Sequence, residues 1–195
     1  MAEPTTRFRL IPNNTAVASI NTPAERLAVI AGESVLSTGA GNEADFGLVD
    51  ISGGAANSGV LTVLWDVTVD GGNTLAETFK YWLSSNGFDK AGSVLKVQPL
   101  SGGDQGAPAN TENYVVNAVV GSYTWATMSE AEPGAINVWP TDEGTSIVLD
   151  AAPPCGDDAI MWAMYVVIAN LETTGTYKGV DAGYQLQFSY KYSYS

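Results

Sequence analysis

Carboxylates are the residues of this chain best placed to do chemistry, and they come in close pairs: Glu43/Asp45, Glu130/Glu132, Asp142/Glu143 and Asp157/Asp158. Two carboxylates can share general acid and base work, but a glycosidase needs them at a set separation across a cleft. Each pair here sits in a segment flanked by Gly or Pro, where solvated turn residues are the ordinary outcome. Asp66, Asp70 and Asn73 offer hard oxygens of the kind calcium prefers, yet their spacing fits no calcium loop. Asp70-Gly71 is explained by a turn, because both residue types tolerate positive φ. The chain contains no histidine. That removes Ser-His-Asp and Cys-His catalysis, histidine-ligated zinc and a histidine pH switch. The single cysteine, Cys155, lies between Pro154 and Gly156 and reads as a small turn residue, with no base to activate it. Neither a GxxxxGK[ST] phosphate loop nor a dinucleotide fingerprint is present. We therefore expect no catalytic residue, no cofactor and no metal, and a hydrolase is the weakest reading.

Aromatic residues offer recognition in place of catalysis. The Trp residues stand at 65, 82, 125, 139 and 162. Four fall in strand-like patterns and read as core, whereas Trp139, beside Pro140 and between loops, is the candidate for stacking on a sugar. The segment from Tyr184 to Ser195, YQLQFSYKYSYS, alternates without a break. Tyr184, Leu186, Phe188, Tyr190, Tyr192 and Tyr194 fall on one face, and Gln, Ser and Lys on the other. As one strand it would run about 40 Å at about 3.4 Å per residue. Tyrosine buries area while keeping a polar tip, so Tyr190, Tyr192 and Tyr194 are candidates for a subunit interface. Core closure by this strand is the equal alternative. At the other end, Arg7, Phe8 and Arg9 sit in a segment, residues 1–20, that reads as an arm able to dock on a neighbour beside the domain formed by 21–195.

The elements that would position these residues are strands. Val60 to Val69 alternates, with Leu61, Val63, Trp65, Val67 and Val69 on one side. Asp70-Gly71-Gly72-Asn73 then predicts a turn, with Thr78 to Leu83 as the returning strand. Shorter strands are expected at Phe46–Ile51, Ser93–Gln98, Ile136–Trp139 and Ser146–Leu149, and a long one at Tyr114–Ala126. Ala159 to Ala169 (AIMWAMYVVIA) is apolar at every step, as in a central strand covered on both faces, and its natural hairpin partner is Tyr184–Ser195. Thr22-Pro23-Ala24-Glu25 has the form of a capping box, but residues 26–36 also suit a strand, so helix and strand both stay open there. About eight to ten strands with irregular loops point to an all-β fold, a β-sandwich of jelly-roll or immunoglobulin-like kind with Greek-key crossovers.

Composition narrows the partners. With 21 acidic and 8 basic residues the net charge is −13, a field that repels nucleic acid and anionic lipid. The beginning of the chain lacks the apolar core of a signal peptide, and the longest apolar run, residues 159–169, is too short to cross a bilayer. Synthesis and retention in the cytoplasm are therefore expected.

The segments FGLVDISGG, VLTVLWDVTV, TFKYWLSSNGF and AGYQLQFSYKYSYS together resemble the small all-β virion proteins of tailed bacteriophages, which include capsid decoration (cement) proteins and accessory tail proteins. The resemblance implies a non-enzymatic protein that binds a capsid lattice, contacts the major capsid protein or other virion proteins, and forms homo-oligomers, commonly trimers. A carbohydrate-binding or adhesive surface module is the rival reading.

Overall fold

The computed structural model describes residues 1–11, 35–36, 44–85, 87–100, 125–128, 147–148, 159–173 and 187–195. Every regular element among them is a strand: β1 (Thr5–Ile11), β2 (Val35–Leu36), β3 (Ala56–Asn57), β4 (Leu61–Val69), β5 (Leu75–Ser85), β6 (Val94–Leu100), β7 (Ala126–Thr127), β8 (Ile147–Val148), β9 (Ala159–Ile168) and β10 (Gln187–Tyr194). All pairings are antiparallel. One sheet runs β2-β1-β4-β9-β6-β7, with β3 also on β9, and the other runs β10-β5-β8. The described part of the chain is thus all-β and built of antiparallel sheets.

Alternation in β4 sends Val63, Trp65 and Val67 into full burial, as the period of two requires. They join Phe79, Tyr81 and Leu83 of β5, Leu95 and Val97 of β6, and Trp162, Met164 and Val166 of β9 in one cluster. That cluster draws from both sheets. Trp65 meets Phe79 with ring centroids 4.8 Å apart, and Tyr81 meets Trp162 at 4.6 Å. The expected central strand is observed: β9 lies between β4 and β6, and Trp162 through Val166 are buried without interruption. On its face away from the shared cluster, Tyr165 receives the edge of Trp125 at 4.8 Å. β6 runs on through Pro99 to Leu100, where a stop was expected, and Pro99 pairs in register with Trp162. β7 matches β6 at Lys96 and Val97.

Four expectations need correction. β4 and β5 do not form a hairpin; the turn between them carries the chain from one sheet to the other. β9 does not pair with β10, since β10 runs along β5 from Gln187↔Ser85 to Tyr194↔Ala76. Two flat patterns on either side of a Gly-rich loop look like a hairpin, but both edges of β9 are already paired, one with β4 and the other with β6. Phe46–Ile51 is a loop in which Asp45 Oδ1 accepts from Gly47 N and Asp50 Oδ1 from Ser52 N, both at 2.8 Å. These side-chain bonds give the backbone an alternative to a ladder. Finally, residues 5–11 of the expected arm are β1, paired with β4 across seven positions. Of the ambiguous segment 22–36, Val35 and Leu36 are strand and pair with β1; the remainder lies outside the described residues. So do the strands expected at 136–139 and, apart from Trp125 and Ala126, at 114–126.

One side chain splices the line from β3 into β4. Ser58 N donates to Val166 O at 2.9 Å, and Ser58 Oγ accepts from Val166 N at 3.0 Å while donating to Gly59 O at 2.7 Å. The hydroxyl stands in for a backbone carbonyl where the strand breaks. Ser58→Ala should leave the buried Val166 N–H without an acceptor and cost about 1–3 kcal/mol. Urea denaturation should show a lower midpoint at unchanged slope, with Ser58→Thr less affected.

Candidate functional site

The tyrosines of β10 are brought together as expected, but on a surface the rest of the fold helps to build. Pairing with β5 sets Phe188 parallel to Tyr81 at 5.3 Å. Two residues on, Tyr190 takes the edge of Phe8 at 4.7 Å, and its hydroxyl lies 3.5 Å from Thr6 Oγ1. Tyr192 meets Trp65 at 5.1 Å. The three rings form a row: Tyr190 lies parallel to Tyr192 at 6.3 Å, and Tyr194 is tilted by 47° against Tyr192 at 5.9 Å. Tyr190 and Tyr194 keep 41% and 40% of their surface exposed, while Tyr192 between them is half-buried. Burial pushes the Tyr192 hydroxyl up to about 12, with the nearby Glu3 carboxylate and the flanking tyrosines adding to it.

Phe8 and Arg9 are not displayed for a neighbour. Phe8 packs between Tyr81, Trp162 and Tyr190, and Arg9, next along β1, is buried. Arg7 is half-buried and stands opposite Asp66 in register. Residues 5–11 of the segment read as an arm are thus part of the sheet. Trp139 lies outside the described residues, as do the acidic pairs apart from Asp45.

The turn after β4 ties down Ala2 and Ser195 at the Tyr194 end of this surface. Asp70 Oδ1 accepts from Gly72 N at 2.6 Å, and Asp70 O accepts from Asn73 N at 3.2 Å and Asn73 Nδ2 at 2.6 Å. Asn73 Nδ2 also donates to Ala2 O at 2.7 Å, and Ala2 N donates to Gly71 O at 3.0 Å. Thr74 N donates to Ser195 O at 2.7 Å. The Asp70 carboxylate is thus engaged as a turn group. Gly71 has φ +67, and a Cβ there would stand 2.4 Å from Ala2 O.

A second cluster went unseen in the sequence. Glu172 is a buried carboxylate that joins two loops. Its Oε1 accepts from Asp89 N at 2.8 Å and Thr173 N at 3.1 Å, and its Oε2 from Ser93 Oγ at 2.5 Å and Lys90 N at 3.1 Å. Ser93 Oγ in turn accepts from Ala169 N at 2.9 Å, and Thr173 Oγ1 donates to Asp89 Oδ2. Burial alone would raise the Glu172 carboxyl, but these donors hold it below its ordinary value. No motif marks Glu172 in the sequence; its role exists only once the two loops meet. Among the described residues no group of three or more His, Cys, Asp or Glu side chains could hold a metal, and no helix is long and apolar enough to cross a membrane.

Comparison of the chain with family models, with curated proteins and with solved structures finds no match.

Gly71→Ala should destabilise the fold by more than about 1 kcal/mol, since left-handed backbone costs about 1–2 kcal/mol with a side chain and the new methyl displaces Ala2. Amide exchange should then speed up at residues 2–5. Glu172 predicts a pH signature. A carboxyl held low in the folded state stabilises fully above its ordinary value of 4.5 and loses that contribution as pH falls through its folded value. Glu172→Gln should melt below wild type at neutral pH, because its amide cannot accept the donors now shared by one oxygen. The gap between the two melting curves should narrow steadily as pH drops below 4.5.

Proposed function

We propose that this chain is a non-enzymatic structural protein that acts by subunit contact, as a decoration protein on the outer face of a bacteriophage capsid, with its two sheets forming a β-sandwich of jelly-roll or immunoglobulin-like type. The observation that carries the reading is the row of Tyr190, Tyr192 and Tyr194. Partly exposed tyrosines in a row give a rigid, amphipathic contact surface at little entropic cost, since each ring turns about only two side-chain bonds. The partners are the major capsid protein or other virion proteins and further copies of this chain, a trimer being the expected form.

Charge supports placing the contact on this flank. In a chain of net charge −13, Lys191 of β10 stands directly opposite Lys80 of β5. Two cations on this flank lessen the repulsion between acidic bodies that meet at β10. A whole-strand deletion cannot test the idea, because Phe188, Tyr190 and Tyr192 also pack against the shared cluster. The exposed rings can be changed singly. Tyr194→Ser, which leaves the Phe8 and Phe79 contacts of Tyr190 in place, should keep the melting temperature within a few degrees while removing both oligomers in light scattering and co-sedimentation with assembled phage capsid shells. Unchanged assembly and unchanged shell binding in that variant would overturn the reading.

A further inference from the structure

Outside the tyrosine flank lies a groove of about 590 Å³ between the 48–52 loop and the 170–172 turn, lined by Leu48, Val49, Asp50, Ile51, Ser52, Asn170, Leu171 and Glu172. This is within the size range of ligand sites, roughly 300–1,000 Å³. Its two walls each present a leucine to solvent: Leu48 is 99% exposed and Leu171 is 76% exposed. Leu171 also has φ +65, a left-handed backbone that β-carbon-bearing residues other than Asn and Asp rarely adopt. Gly or Asn would fill the position at lower cost. The fold holds it there through Glu172, whose N donates to Ala169 O at 3.2 Å and whose carboxylate is fixed by four donors. A costly backbone that displays an apolar side chain to water gains nothing from the described fold.

We propose that this groove is a docking site for a segment of another protein that inserts an apolar side chain between Leu48 and Leu171 and flanks it with Lys or Arg. Charge selects that occupant. Asp50 is exposed on the groove wall, and two backbone and hydroxyl contacts from Ser52 favour its ionised form. Asp45, also exposed, lies on the same loop, and the whole body carries −13. An acidic partner, a second copy presenting its own like-charged groove included, would meet repulsion here, whereas a basic one is steered in. The site is separate from the tyrosine row and does not depend on the virion reading.

The test uses the full-length, ¹⁵N-labelled chain and a synthetic amphipathic peptide of leucines and lysines, with a leucine–glutamate peptide of equal length beside it. The lysine peptide should shift amides of residues 48–52 and 170–172, and the glutamate peptide should not. Leu48→Ser with Leu171→Asn should weaken binding at least about tenfold, near 1.4 kcal/mol, with no loss of thermal stability, because Asn suits the left-handed backbone. Asp50→Asn alone should weaken it less and reduce its salt dependence. Equal binding by the double variant, or by the glutamate peptide, would overturn the proposal. So would groove amides that shift on simple dilution, which would make a second copy the occupant. Tyr194→Ser should leave the titration unchanged, so the two surfaces fail or stand separately.

Discussion

Contact between aromatic rings from the two sheets is the interaction on which the remainder depends. Trp65 against Phe79 and Tyr81 against Trp162 join β4 and β9 of one sheet to β5 of the other, and no backbone ladder links those sheets among the described residues. Phe8 and Phe79 extend the same contact, each also reaching Trp162. Losing a buried ring of this size typically costs about 3–5 kcal/mol, a large share of a domain's stability of about 5–15 kcal/mol. Among the described residues the indole N–H groups of Trp65 and Trp162 find no hydrogen-bond acceptor, so ring packing here outweighs the desolvation of two polar groups. That balance favours burial only because the cluster is dense with other rings.

The same contact dictates what β10 can be. Once β5 is committed to the rings of the larger sheet, its ladder partner must offer a matching apolar face, and Phe188, Tyr190 and Tyr192 do so. Along the strand Tyr190 and Tyr194 then stand exposed on either side of the half-buried Tyr192. The turn at Asp70–Asn73 fixes the geometry at the Tyr194 end by bonding Ala2, while Thr74 bonds Ser195. Exposure of the outer tyrosines is therefore held in place by hydrogen bonds, and their spacing is that of a rigid strand.

Faces were legible in the sequence, and partners were not. The alternation of Val63, Trp65 and Val67 and the unbroken apolar run of β9 identify which side chains are buried, because a side-chain period is a local property. Which strand lies alongside is decided by long-range packing, and Asp-Gly-Gly-Asn serves equally well in a hairpin and in a crossing between sheets. The row Tyr190, Tyr192 and Tyr194 was legible for the same local reason. Phe8 and Arg9 looked like an arm because charged residues flank the aromatic, while the ladder that buries them lies more than fifty residues away at Leu64 and Trp65. Glu172, Ser93, Leu48 and Leu171 carry no local signal at all, since a buried acid or an exposed leucine is defined by what surrounds it.

Function is best sought where a residue departs from what folding alone favours. Leu171 in left-handed backbone and Leu48 in open solvent each cost something locally. Gly or Ser would fill those positions at lower cost. Contact with another protein supplies one physical account for both, because it covers apolar area at the groove. Glu172, a buried carboxylate beside the groove, has both oxygens committed to holding two loops together. Its work is to keep Leu171 where a partner can meet it.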